Sequence, residues 1–184
     1  AMYITRMEVA AENMRSLIDN LLELSRVTRN NQPFEQMDLN KLIKNTIADL
    51  ELTIDETGAE IHSAALPVID AIPSQLRQMF NNLLANALKF RRPGVRPVLS
   101  ITAVKIDRAT KEENFLAVEK NYYRIDITDN GIGFDQEYEQ RIFQIFQRLH
   151  GKSAYPGSGI GLAICKRIAE RHNGLIHAKG EEGK

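Results

Sequence analysis

The sequence predicts an α/β domain led by one long amphipathic helix, and three observations carry that expectation. The 184 residues suffice for one medium-sized domain with an appendage. Residues 3 to about 30 hold one apolar stripe at helical spacing. The remainder alternates helix-periodic stretches with short β-rich runs bounded by Gly, Pro and Asn.

In the first helix, Ile4, Met7, Ala11, Met14, Ile18 and Leu21 alternate steps of three and four, the seam of a coiled coil or bundle. Leu17, Leu22 and Leu24 widen the stripe, which favours a bundle. Such a stripe needs a partner: another copy of the helix, or the domain itself. Asn30 to Pro33 form a hinge. Phe34 to Met37 predict a short strand, and Asp38 an N-cap for a helix through Leu39, Leu42, Ile43, Ile47 and Leu50, ending near Gly58. Ala59–Ala64 and Val68–Ala71 predict strands. Pro73 and Ser74 open a helix to about Arg91. Strands follow at Val98–Asp107 and Tyr122–Thr128, joined by the polar stretch Arg108–Asn121. Asp135–Pro156 predicts a long irregular connection with a short helix near Tyr138–Phe146. The last helix, about Ser158–His172, stops at Asn173-Gly174, and Leu175–Ala178 predicts a strand.

Charge balances, with 24 Lys plus Arg against 24 Asp plus Glu, so no basic excess points to nucleic acid. A single cysteine, Cys165, excludes an intrachain disulfide. No apolar run approaches the roughly 20 residues that span a bilayer. The expectation is a cytoplasmic domain, a piece of a longer protein whose membrane attachment is open.

Four segments carry chemistry. On the helix from Ser74, Asn82, Asn86 and Lys89 share one face, beside Phe90. Two amides and an ammonium so aligned suit a Mg²⁺–phosphate group, since an amide oxygen is a hard ligand; a solvated polar face is the alternative. Asp129 opens DNGIGF at a strand end, where a carboxylate can accept from a base amine, and Gly131 and Gly133 let a ligand approach the backbone. A plain β-turn is the alternative. Gly157, Gly159 and Gly161 precede Leu162 at a helix start, whose N–H groups attract phosphate; a flexible loop feeding a helix is the alternative. Phe143 and Phe146 serve as core anchors, or as part of a mobile cover. Arg148, His150 and Lys152 after them bring positive charge toward a triphosphate, or form a solvated turn.

Taken in order, NNLLANALKF, DNGIGF, IFQIF and GSGIGLAI resemble the N box, first Gly box, F box and second Gly box of bacterial sensor histidine kinases. These belong to the wider gyrase, Hsp90, histidine kinase and MutL family. The segment FQRLHGKSAYPGSGIGL is similar to lids of phytochrome-like and related hybrid kinases, and SLIDNLLELSRV to the second helix of the dimerisation and phosphotransfer hairpin. The resemblance implies a two-layer α/β sandwich of Bergerat type, a mixed sheet with helices on one face, following the long N-terminal helix. It implies a division into residues 1–33, a partial dimerisation helix, and 34–184, an ATP-binding catalytic domain whose closing strand is absent. Asn86 would bind Mg²⁺, Asn82 support it, Lys89 touch phosphate and Asp129 take the adenine amine. Gly131 and Gly133 would shape the base pocket, and Gly157, Gly159 and Gly161 the lid hinge and phosphate turn. Partners would be a second copy, through the N-terminal helix, and a response-regulator receiver domain.

The reaction implied is transfer of the ATP γ-phosphoryl group to a histidine and onward to an aspartate. No histidine here (His62, His150, His172, His177) stands in the phosphoacceptor context, so the chain is expected to bind ATP without phosphorylating itself. Hydrolysing relatives carry a glutamate where this chain has Asn82, and an amide cannot take a proton from water. A non-catalytic nucleotide-binding module and an ATP-hydrolysing relative remain the alternatives.

Overall fold

The computed structural model describes residues 32–149 and 158–181, together with Met7, Arg15, Ile18 and Leu22. Those four are helical and exposed, and the other positions of the helix expected over 3–30 lie outside the described residues. Gly157, His150 and Lys152 also lie outside them.

Strand β1 (Glu35–Asp38) pairs antiparallel with β3 (Val68–Ala71). A second, mixed sheet has the order β2 (Glu60–Ser63), β4 (Val98–Lys105), β5 (Tyr123–Asp129). β2 runs parallel to β4, and β4 antiparallel to β5, with Leu99 opposite Asp129. Between β1 and β2 lie α1 (Leu39–Asp49) and α2 (Glu51–Thr57). Asp38 caps α1, accepting from the Asn40 N–H at 2.9 Å. The predicted single helix is interrupted at Leu50, whose ψ of 7° leaves the helical region, and α2 ends on left-handed Gly58.

The helix α3 (Pro73–Lys89) starts on its predicted proline and buries Leu76, Phe80, Leu84 and Leu88, a stripe at steps of four. It packs against α5 (Gly161–Arg171), which buries Ile164 and Ile168. Both helices and α1 cover one face of the β4–β5 ladder, where Leu99 and Ile101 are fully buried. Alternation along β4 leaves Thr102 and Val104 exposed. The sandwich is therefore helices over a mixed sheet, as predicted.

Local departures have local causes. The polar connection 108–121 contains a short helix, α4 (Arg108–Glu113), because Asp107 caps it and Arg108 pairs with Glu112 one turn on. The predicted helix near Tyr138–Phe146 is only a 3₁₀ turn at Gln136–Tyr138 followed by turns; Phe146 takes φ 64°, which no α-helix accommodates. Residues 175–178 are not a strand: Ala178 O accepts from the Gln136 side chain instead of a neighbouring strand. The last helix begins at Gly161 rather than about Ser158, and it stops as expected before the Asn173-Gly174 pair, with Asn173 left-handed at φ 54°.

His172 joins three elements. The Ile72 N–H at the head of α3 donates to His172 Nε2 at 3.0 Å, and Nδ1–H donates to Ile168 O at 2.8 Å. Its ring lies 5.0 Å from that of Phe34. Burial pushes its pKa below the ordinary 6.5, as does the nearby Arg171, against the hydrogen bond to Ile168. Gln32 Oε1 accepts from Ser74 Oγ at 2.5 Å, so the chain entering β1 is fastened to the start of α3.

Candidate nucleotide site

The candidate residues come from the end of α3, the end of β5, the 143–148 segment and the start of α5. Their placement follows from a few backbone contacts. Phe90, which ends α3, donates its N–H to Asn86 O and accepts from the Ile132 N–H, both at 2.9 Å. The DNGIGF turn is thereby hung on the last turn of the helix carrying Asn82, Asn86 and Lys89. Asp129 ends β5, and its Oδ1 accepts from the Gly131 N–H at 2.8 Å, leaving Oδ2 for another donor. A Cβ at Gly131 would sit 2.6 Å from both Asp129 Oδ1 and Phe90 O, so only glycine fits between the strand end and the helix end. Gly133 takes φ 65°, a conformation that favours glycine.

The other side is closed in the same way. The Phe146 N–H donates to Gly159 O at 3.0 Å, so the F-box segment lies on the second Gly box. A Cβ at Gly159, where φ is 73°, would meet Gln147 O at 2.8 Å and Arg148 Cγ at 3.1 Å. Phe143 is buried, whereas Phe146 is exposed. Ile160, ahead of α5, has no side chain able to cap it, so the first-turn amides of Gly161, Leu162 and Ala163 gain no acceptor from an N-cap. Asn82 Nδ2 reaches Gly161 O at 3.5 Å and bridges the two helices. It also contacts Cys165, a buried thiol that desolvation pushes up to about 12.

Lys89 connects the halves. Burial lowers its pKa from the ordinary lysine value, and the Arg148 guanidinium lowers it further. Its Nζ lies 4.6 Å from the centre of the Phe90 ring. Two cations held near each other, one of them partly desolvated, suit an anion. These links form a circuit: hydrogen bonds and close approaches join Asp129, Gly131, Phe90 and Asn86, then Arg148 with Gly159, and Gly161 with Asn82 on α3, while charge repulsion rather than contact couples Lys89 to Arg148. Among the described residues, the Asn86 side-chain amide makes no hydrogen bond.

Asn130 and Arg92, to which sequence reasoning gave no role, brace the DNGIGF turn. Asn130 Oδ1 accepts from the Val98 N–H, and its Nδ2 donates to Arg96 O, each at 2.9 Å. Arg92 Nε donates to Asn130 O at 2.9 Å. Asn in an N-G pair was the available signal, although it marks a turn without identifying the partner. The described histidines have other work: His172 is structural, His62 lies near Glu60, and His177 faces Glu139.

Residues 71–184 match the family described as histidine kinase-, DNA gyrase B- and HSP90-like ATPase. The chain is 39% identical over 171 residues to Cyanobacterial phytochrome A of a Nostoc species, covering 93% of this chain and 20% of that protein. It is 34% identical over 171 residues to Phytochrome-like protein Cph1 of a Synechocystis species, covering 93% of this chain and 21% of that one. The chain thus spans about a fifth of the length of these relatives. Among solved structures, full-length ShkA in complex with AMPPNP superposes with a TM-score of 0.73 at 26% identity, over 100% of this chain and 36% of that one. With the two Gly boxes, the N box and the helices-over-sheet fold converging, the chain belongs to the histidine kinase-, DNA gyrase B- and HSP90-like ATPase family, as an ATP-binding catalytic domain of the sensor histidine kinase kind.

Proposed function

We propose that this domain holds Mg²⁺–ATP inside this circuit and presents its γ-phosphoryl group to a histidine that is not one of the four in this chain, from which it passes to a response-regulator aspartate. The observation that carries the reading is the circuit itself, which sets a carboxylate at one end and Lys89, Arg148 and uncapped helix amides at the other. Asp129 reads the adenine amine through Oδ2. Lys89, Arg148 and the first turn of α5 neutralise the triphosphate, and positioning with charge neutralisation supplies most of the catalysis in phosphoryl transfer.

The donor set fits Mg²⁺. Among the described residues no cluster of three His, Cys, Asp or Glu side chains could hold a metal ion. A divalent ion would then take its ligands from phosphate, water and the Asn86 amide oxygen, the hard, sparse protein contribution that Mg²⁺ accepts. Bound there, it would withdraw charge from the phosphoryl oxygens. Asn82, turned toward Gly161 and lacking a basic oxygen, supports storage of ATP for another nucleophile rather than hydrolysis.

Residues 1–33 act as part of a dimerisation and phosphotransfer hairpin and 34–184 as the ATP-binding catalytic domain in this reading. Exposed Met7, Ile18 and Leu22 support a seam that a second copy covers. No helix among the described residues is long and apolar enough to cross a membrane. The direct test is calorimetric titration with Mg²⁺–ATP: Asn86→Ala and Asp129→Ala each abolish binding, and undiminished affinity in both refutes the assignment. Supplying the upstream helix and following radiolabelled γ-phosphate onto its histidine tests the transfer.

A further inference from the structure

Peptide planarity makes one loop hydrogen bond a lever on the base end of the site. The unit between Asn130 and Gly131 has its C=O and N–H on opposite edges of one rigid plane. On one edge the Gly131 N–H holds Asp129 Oδ1 at 2.8 Å. On the other edge Asn130 O accepts from Arg92 Nε at 2.9 Å. The Asn130 side chain pins residue 130 to Val98 and Arg96, yet its bonds leave the following peptide able to turn about its flanking torsions. Gly131, without a Cβ, offers that rotation little resistance. The Ile132 N–H bond to Phe90 O restrains the chain beyond Gly131, and the Arg92 contact opposes the rotation at the carbonyl of residue 130 itself.

We propose that Arg92 is a positioning residue for base recognition: by clamping the carbonyl of peptide 130–131, it fixes the N–H that orients the Asp129 carboxylate. This rests on the reading of Asp129 as the group that meets the adenine amine. With Oδ1 engaged by Gly131, the carboxylate plane is set and Oδ2 has one direction in which to accept. Release of the clamp lets that plane swing, and an acceptor free to swing discriminates less between bases. The segment Arg91–Val98, which joins α3 to β4, thereby becomes part of the base-reading apparatus.

The experiment is calorimetric titration of the chain with Mg²⁺–ATP and with inosine triphosphate, which lacks the amine. Arg92→Met keeps the aliphatic stem and removes the donor; Arg92→Lys restores a donor. Expected is a roughly tenfold loss of ATP affinity in Arg92→Met, the worth of one hydrogen bond from a charged donor. Inosine triphosphate affinity stays unchanged, and Arg92→Lys recovers most of the loss. Unchanged ATP affinity in Arg92→Met overturns the proposal. So does an equal loss for both nucleotides, or a failure of lysine to rescue, since either means general loosening. Asp129→Ala is titrated alongside. If it binds ATP normally, the base assignment itself falls; if it loses ATP while Arg92→Met does not, only the role of Arg92 falls.

Discussion

Replacing Gly131 by alanine tests the geometry of the site at its narrowest point. The added Cβ would stand 2.6 Å from Asp129 Oδ1 and 2.6 Å from Phe90 O, well inside the 3.0 Å that Cβ atoms keep. The two contacts are unequal. A carboxylate oxygen ends a flexible side chain and can swing away, at the cost of the bond from the Gly131 N–H. Phe90 O belongs to the last turn of α3 and is already engaged by the Ile132 N–H. Relief there requires the Gly box to back away from the helix. Overpacking of this kind costs about 1–3 kcal/mol, and if the site alone absorbs it, ATP affinity falls roughly 5- to 150-fold. Gly94→Ala is the control: its φ of 73° is strained for alanine, but its Cβ would meet nothing within 4 Å. That variant should lose about 1–2 kcal/mol of stability with nucleotide affinity intact. The assays are calorimetric ATP titration and urea denaturation of both variants. Wild-type ATP affinity in Gly131→Ala would refute the argument that a tight seam between DNGIGF and α3 shapes the site.

Two further predictions concern charge. Lys89→Ala should weaken ATP binding about tenfold or more, with the difference shrinking as salt screens it; a titration series at rising ionic strength checks this, and equal affinity at low salt would count against a phosphate contact. His172 should make folding pH-dependent. Its folded pKa is depressed, so the unfolded chain binds more protons between that value and 6.5, and stability rises with pH across the window. The stability is complete above 6.5 and declines as pH falls below it. Denaturation midpoints of wild type and His172→Gln across that range should show a shallower slope in the variant, and parallel curves would remove His172 as the cause.

Much of the fold was legible because its signals are local. Pro73 opens α3, Asp38 caps α1, and alternation along Leu99, Ile101 and Ala103 marks the buried face of β4. The candidate site was legible as four boxes because glycines and amides at fixed spacing report backbone proximity, which the Phe90–Ile132 and Phe146–Gly159 bonds bring about. What escaped depends on partners distant in sequence. The roles of Asn130 and Arg92 arise only when the 91–98 segment folds beside the DNGIGF turn. The same holds for His172, whose partners lie at Ile72 and Phe34. The strand expected at 175–178 failed for a related reason: a β-propensity pattern cannot say whether a neighbouring strand is available, and here the Gln136 side chain takes the Ala178 carbonyl. The break at Leu50 occurs within an apolar periodicity that continues on both sides, so the pattern could not reveal it.

The burial of Cys165 has a practical corollary for spectroscopy. Its sulfur is shielded by the α3–α5 contact, and almost none of it is thiolate at neutral pH. Maleimide dyes should therefore pass it by and modify only a cysteine introduced on the surface, for example in place of Phe115, which is 97% exposed. A single fluorophore can then be installed without first deleting the native sulfhydryl, sparing a side chain that touches Asn82.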